Sequence, residues 1–148
     1  MKNDQKLIAP CGMHCAVCSA YLAWAHAVPR QRGKITHCEG CRPRNKQCAF
    51  LKKRCSRLRN NRVRFCYECP DFPCAPLSRI DARYRNNYGM SLIGNLEEIR
   101  DHGMAAFLKH QRKEHGCPSC GDWVSVHNKK CFACQPVHSW KDQPPDHS

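Results

Sequence analysis

The chain has 148 residues, 14 of them cysteine, with 25 Lys and Arg against 12 Asp and Glu for a formal charge of +13. A mean hydropathy of −0.70 with 8% aromatic residues excludes a large apolar core, so a chain this rich in cysteine is expected to be held together by something else. A membrane span is excluded too: the most apolar stretch, Ala16 to Val28, is short and interrupted by Ser19 and His26.

The N-terminal residues Met1 to Lys6 have neither the apolar stretch nor the cleavage site of a secretory leader, which sets the expectation of a cytoplasmic protein with no membrane partner. Ala16 to Val28 reads as a helix, rich in Ala and Leu, stopped by Pro29, with Cys15 and Cys18 in its first turn and Trp24 in the core. A second helix is expected from Cys48 to Asn60, where Cys48, Leu51, Cys55 and Leu58 share one face and the rest is basic. Leu92, Ile93, Leu96 and Ile99 repeat with helical spacing behind Ser91 as N-cap. Gly103 breaks that run, and Met104, Phe107 and Leu108 mark another helix. Val124 and Val126 alternate with polar residues, and Asn128-Lys129-Lys130 returns the chain to Cys131, the signature of a β-hairpin. The tail, Pro136 to Ser148, is polar and Pro-containing and is expected to be disordered. The fold class is therefore mainly α: a metal-stapled Cys-rich module (1–80), a helical connector (81–115), a zinc-ribbon β-hairpin (116–135) and a tail (136–148).

Cysteine spacing separates metal from disulfide. Five pairs are Cys-x2-Cys: Cys15/Cys18, Cys38/Cys41, Cys66/Cys69, Cys117/Cys120 and Cys131/Cys134. Random scattering of the same cysteines gives about 1.3 such pairs, so the excess is of the kind metal sites need. A reducing cytosol also disfavours structural disulfides. Cys117-Pro-Ser-Cys120-Gly followed by Cys131-Phe-Ala-Cys134 places two knuckles on one hairpin, a closed four-thiolate site suited to structural zinc. Gly121 suits the reversal after the second ligand, and Trp123 is expected to cover the site.

The ten N-terminal cysteines allow more than one partition. Cys15/Cys18 with Cys38/Cys41 would make one four-thiolate zinc site, and Cys66/Cys69 with Cys48 and Cys55 another, leaving Cys11 and Cys74 as outer partners. Alternatively, Cys11-x3-Cys15-x2-Cys18 has the spacing to ligate three irons of a 4Fe–4S cluster, and Cys69-Pro70 is similar to the Cys-Pro of ferredoxins. The same string occurs in radical S-adenosylmethionine enzymes, but the chain is too short for their barrel. His14 and His37 adjoin ligand cysteines and read as solvent-facing or supporting groups rather than ligands.

Between Arg42 and Phe65 there are ten Lys or Arg and no Asp or Glu. This stretch fits nonspecific phosphate contacts to nucleic acid, or else balances anionic thiolate centres. Each four-thiolate zinc carries a formal −2, so three of them would lower the net charge to about +7. No Ser/His/Asp series, carboxylate pair or phosphate-cradling glycine loop marks an enzyme. The reading is a metal-binding module that acts as a binding or adaptor unit for a protein partner. Its rivals are an iron–sulfur protein in electron transfer or serving an anaerobic enzyme, and a thiol-based enzyme or metal-transfer protein.

The segments Ile8-Ala-Pro-Cys-Gly-Met-His-Cys-Ala-Val-Cys18, Cys38-Glu-Gly-Cys41 and Phe65-Cys-Tyr-Glu-Cys-Pro-Asp-Phe-Pro-Cys74 resemble the cysteine-rich bacterial and archaeal domain of unknown function 3795. The connector from Arg83 to Ile99 and the ribbon with Val124 to His127 resemble longer members. The resemblance implies a metal-binding domain whose biochemical role is open. Gln135 departs from the Gly common in a ribbon knuckle and is expected to weaken the second turn.

Overall fold

The computed structural model describes residues 3–40, 55–60 and 62–139. Six helices are described: α1 (Asn3–Lys6), α2 (Ser19–Ala25), α3 (Ser56–Arg59), α4 (Ala75–Tyr88), α5 (Leu92–His102) and α6 (Met104–His115). Two 3₁₀ turns, Cys15–Val17 and Cys66–Glu68, precede α2 and α4. None of the described helices is long and apolar enough to cross a membrane.

Helices α4, α5 and α6 follow one another in contact, and their terminators are local. Gly89 takes a left-handed conformation (φ 70°) at the end of α4, where its N–H donates to Arg85 O and that of Met90 donates to Tyr84 O. The Ser91 hydroxyl then caps α5 by accepting from Gly94 N–H at 2.9 Å. Leu92, Leu96 and Ile99 are buried along one face, as their spacing predicts. The Asp81 carboxylate ties α4 to this junction, accepting from Ser91 Oγ (2.8 Å), Ile93 N–H (2.9 Å) and Arg85 Nε (2.7 Å). Burial opposes its charge, but the Ile93, Arg85 and Ser91 donors outweigh that and hold its pKa below the ordinary value.

The main core gathers Ile8, Val17, Leu58, Leu77, Leu92, Leu96, Phe107 and Val126, so residues from both ends of the chain share it. A smaller cluster joins Leu22, Ala23, Ile35 and Phe132. The loop before the first 3₁₀ turn is pinned onto α5: Asn95 Nδ2 donates to Gly12 O at 2.9 Å, and Gly12 has φ 92°.

Several expectations are corrected. The Ala16–Val28 helix is shorter, running only over Ser19–Ala25, with Cys18 as its extended N-cap residue and Cys15 in the separate turn before it. Trp24 is 43% exposed rather than in the core. Two residues turn it about 200° around the axis from the buried Leu22, so burying one exposes the other. Of the helix expected over Cys48–Asn60, residues 48–54 lie outside the described residues. Cys55 is the N-cap residue of α3. Helix α4 runs over Ala75–Tyr88 and so spans position 80/81.

No extended hairpin strands form around the last cysteines. The described residues have single antiparallel bridges, Val124 to Cys131 and Gly116 to Trp123. Ser125, Val126, His127 and Asn128 are all buried, so the alternation that suggested a strand does not describe their packing. The reversal is a turn in which Lys129 N–H donates to Ser125 O (2.9 Å) and Ser125 N–H to Lys130 O (3.0 Å). The start of the tail returns to the body, with Val137 packed in the smaller cluster and Asn128 Nδ2 donating to Ser139 O. The rest of it, 140–148, lies outside the described residues.

Candidate metal centre

Cys117 and Cys120 follow α6, and Cys131 and Cys134 follow the Ser125–Lys130 turn. Their sulfurs all lie within 4.8 Å of one another. Cys117 Sγ stands 3.9 Å from Cys134 Sγ, and Cys120 Sγ 3.5 Å from Cys131 Sγ. Four sulfurs at about 2.3 Å from one tetrahedral ion would stand about 3.8 Å apart, so this group can hold a metal ion. The separations are far too long for disulfides. No disulfide joins any two of the twelve described cysteines.

Backbone turns aim the sulfurs. Gly121 N–H donates to Cys117 O (2.8 Å), with Gly121 at φ 79°, and Asp122 N–H donates to Cys120 Sγ (3.4 Å). In the second pair Cys134 N–H donates to Cys131 O (3.2 Å). Gln135 does not weaken this turn: its side-chain oxygen accepts from Cys131 N–H at 3.2 Å. The backbone N–H groups of Cys120 and Ser119 bring the Cys117 thiol down to about 7, whereas hydrogen bonding to Cys120 and Cys131 pushes Cys134 up to about 12. Four like groups in contact cannot all ionise without a cation among them.

The quartet is joined to the body on both sides. Arg112 Nη1 donates to Gly121 O (2.8 Å), and its guanidinium lies 3.7 Å from the Trp123 ring centre. Trp123 meets the His14 ring edge-on at 4.9 Å. His14, expected to be a solvent-facing or supporting group, is buried in the core with Nδ1 3.0 Å from Gln111 Oε1. Val126 N–H donates to Val17 O (2.9 Å).

The sequence assigned no role to His127 beyond its place in the Val124–His127 segment, and it is buried in the turn between the two ligand pairs. Its Nδ1 accepts from Ser19 N–H (3.1 Å), which leaves the neutral ring's proton on Nε2, 3.2 Å from Tyr84 Oη. Burial, then Lys129, lowers its pKa to about 4. A depressed folded-state pKa means that the unfolded chain binds the proton first, so this contribution is complete above pH 6.5 and is lost as pH falls toward 4. Between pH 7 and pH 5 the wild type is expected to lose about 2 kcal/mol more stability than His127→Gln, from a shift of this size. Denaturant unfolding of both proteins at the two pH values checks this; parallel losses would refute it.

The N-terminal cysteines divide into groups. Cys15 and Cys66 open near-identical turns, with Cys18 N–H donating to Cys15 O (2.9 Å) and Cys69 N–H to Cys66 O (3.1 Å). Cys18 borders a cleft with Arg83, Tyr84, Tyr88 and His127. Cys38 sits beside the start of α2, its N–H donating to Ala20 O (3.1 Å), and its sulfur accepts from Gly40 N–H (3.4 Å). His37 Nε2 donates to Val28 O (2.6 Å). Cys55, Cys66, Cys69 and Cys74 surround one small cavity. Burial, then the neighbouring sulfurs of Cys11, Cys74, Cys55 and Cys69, raises the Cys66 pKa. Cys41 and Cys48 lie outside the described residues, as does most of the basic stretch, 42–54. Arg57, within the described part of that stretch, donates to Cys69 Sγ (3.0 Å) and Asp71 Oδ2 (2.8 Å).

Residues 7–79 match the model of a family described as a protein of unknown function, DUF3795, and are similar to it. The Cys117 quartet lies beyond the matched residues. No curated protein and no solved structure matches the chain.

Proposed function

We propose that this is a cytoplasmic zinc protein in which Cys117, Cys120, Cys131 and Cys134 form a zinc-ribbon-type structural site, and that the folded unit serves as a binding or adaptor module. The convergence of four sulfurs to within 4.8 Å carries the reading. Four thiolates complete a tetrahedral shell and leave no position for substrate or water, so the ion's work is to hold the chain. The quartet clasps the turn that buries Val126 and His127, and metal affinity there becomes folding free energy.

The test is metal content and ligand-field spectroscopy on the full chain. Zinc is expected to co-purify at the quartet, and cobalt substitution is expected to give the intense visible bands of a tetrahedral thiolate site. Cys120→Ser should lose that spectrum, and an unchanged spectrum would remove the quartet from the site.

A further inference from the structure

A second group of cysteines meets away from the quartet. Among the described residues, a cavity of about 20 Å³ is lined by Cys55, Cys66, Cys69, Cys74, Val63, Phe72 and Leu77. Two kinds of local device deliver the sulfurs. Cys55 and Cys74 are the N-cap residues of α3 and α4, and Cys66 and Cys69 bracket a 3₁₀ turn held against the N-terminal loop by Cys66 N–H donating to Pro10 O (2.9 Å).

Two observations distinguish this group from a single-ion site. The Cys117 quartet is the one set of three or more candidate ligands, among the described residues, whose atoms all lie within 4.8 Å. The sulfurs around the cavity are therefore spread more widely. The space is also large enough for a water-sized sphere, and its walls are sulfur and hydrocarbon. A zinc ion at about 2.3 Å from four sulfurs leaves no such space. A cubane, by contrast, takes one cysteine on each of four irons, so its ligand sulfurs stand apart by the breadth of the cluster.

The surroundings suit an anionic sulfur-rich group. Cys69 Sγ accepts from Arg57 Nη1 (3.0 Å) and from Asp71 N–H (3.4 Å). The second of these repeats the Asp122-to-Cys120 bond of the quartet, also 3.4 Å. Such donors stabilise the thiolate over the thiol.

We infer that Cys55, Cys66, Cys69 and Cys74 ligate an iron–sulfur cluster of the cubane type, with Arg57 as an outer donor to the Cys69 sulfur. The assignment differs from one based on Cys11-x3-Cys15-x2-Cys18, since Cys15 and Cys18 do not border this cavity. It does not rest on the quartet's zinc, because acid-labile sulfide and zinc are counted separately.

The experiment is purification of the full chain without oxygen from iron-supplemented cells, followed by iron, sulfide and zinc analysis and visible absorption. A brown protein with iron and acid-labile sulfide in equal amounts is expected. Cys69→Ser and Cys74→Ser should each lose most of the iron and sulfide and keep the zinc. Arg57→Gln tests the same site without removing a ligand. It should retain iron and sulfide but lower the reduction potential, because one donor to a ligand sulfur is gone. A colourless protein without sulfide, whatever its zinc content, overturns the inference. So does iron and sulfide retained in both serine variants, or an Arg57→Gln protein whose potential is unchanged.

Discussion

Cys117→Ser is expected to unfold more than the segment that carries it. Residues 125–128, between the two ligand pairs, are buried in the body of the protein. Val126 N–H donates to Val17 O, and His127 Nδ1 accepts from Ser19 N–H. Metal binding contributes on the order of 10 kcal/mol in small zinc modules. That is comparable to the roughly 5–15 kcal/mol stability of a whole domain. Losing one thiolate of four is therefore expected to lower the thermal midpoint by about 10 °C or more. Amide exchange should accelerate at Val17 and Ser19 together with Val126. Acceleration confined to residues 116–135 would show that the two regions fold independently.

A second large effect is expected from one methyl group. Gly12 has φ 92°, and a Cβ there would sit 2.4 Å from Leu92 O and 2.9 Å from Leu96 Cγ. The first obstacle is backbone at the buried start of α5, which cannot rotate away. Gly12→Ala thus combines a left-handed conformation with displacement of a helix, for an expected loss of about 3 kcal/mol or more. Gly89→Ala is the matched control: it is left-handed at φ 70°, but apart from its own chain neighbours and helix backbone no atom lies within 4 Å of the added carbon. It should cost only the conformational strain, about 1–2 kcal/mol. Equal losses in urea unfolding would mean that the contact between the Gly12 loop and α5 contributes nothing.

The difference between these glycines illustrates what sequence carries. Both are glycine beside a helix; only the neighbour brought in from 80 residues away separates them. Local signals were legible for that reason. Ser91 caps α5 through its own chain, and the Leu92, Leu96 and Ile99 face follows from helical geometry alone. The quartet was legible because Cys-x2-Cys turns fix their own sulfurs, leaving one pairing to be inferred. Val124 and Val126 misled because alternation implies a sheet with one face in water, whereas this turn packs against α4 and the Val17–Ser19 segment. His14 and His127 were obscure because their partners, Gln111 and Ser19, lie 97 and 108 positions away. The cavity cysteines belonged to a string that permits several ligand partitions, and spacing ranks none of them. Proximity of Cys55 and Cys74 to Cys66 arises only when α3 and α4 are placed.

Those same distant pairings set an order for synthesis. Contacts spanning about a hundred residues delay folding, since the loop between them must close before they reward it. The ribosome delivers Cys15 and Cys18 long before Val126 and His127 can pack on the Val17 and Ser19 backbone between and beside them. During that interval the early thiols stand in an incomplete core, open to oxidation, to mispairing and to capture by the wrong metal. Oxidants are therefore expected to do most damage to this chain before residues 125–128 have emerged to pack on the Val17–Ser19 segment.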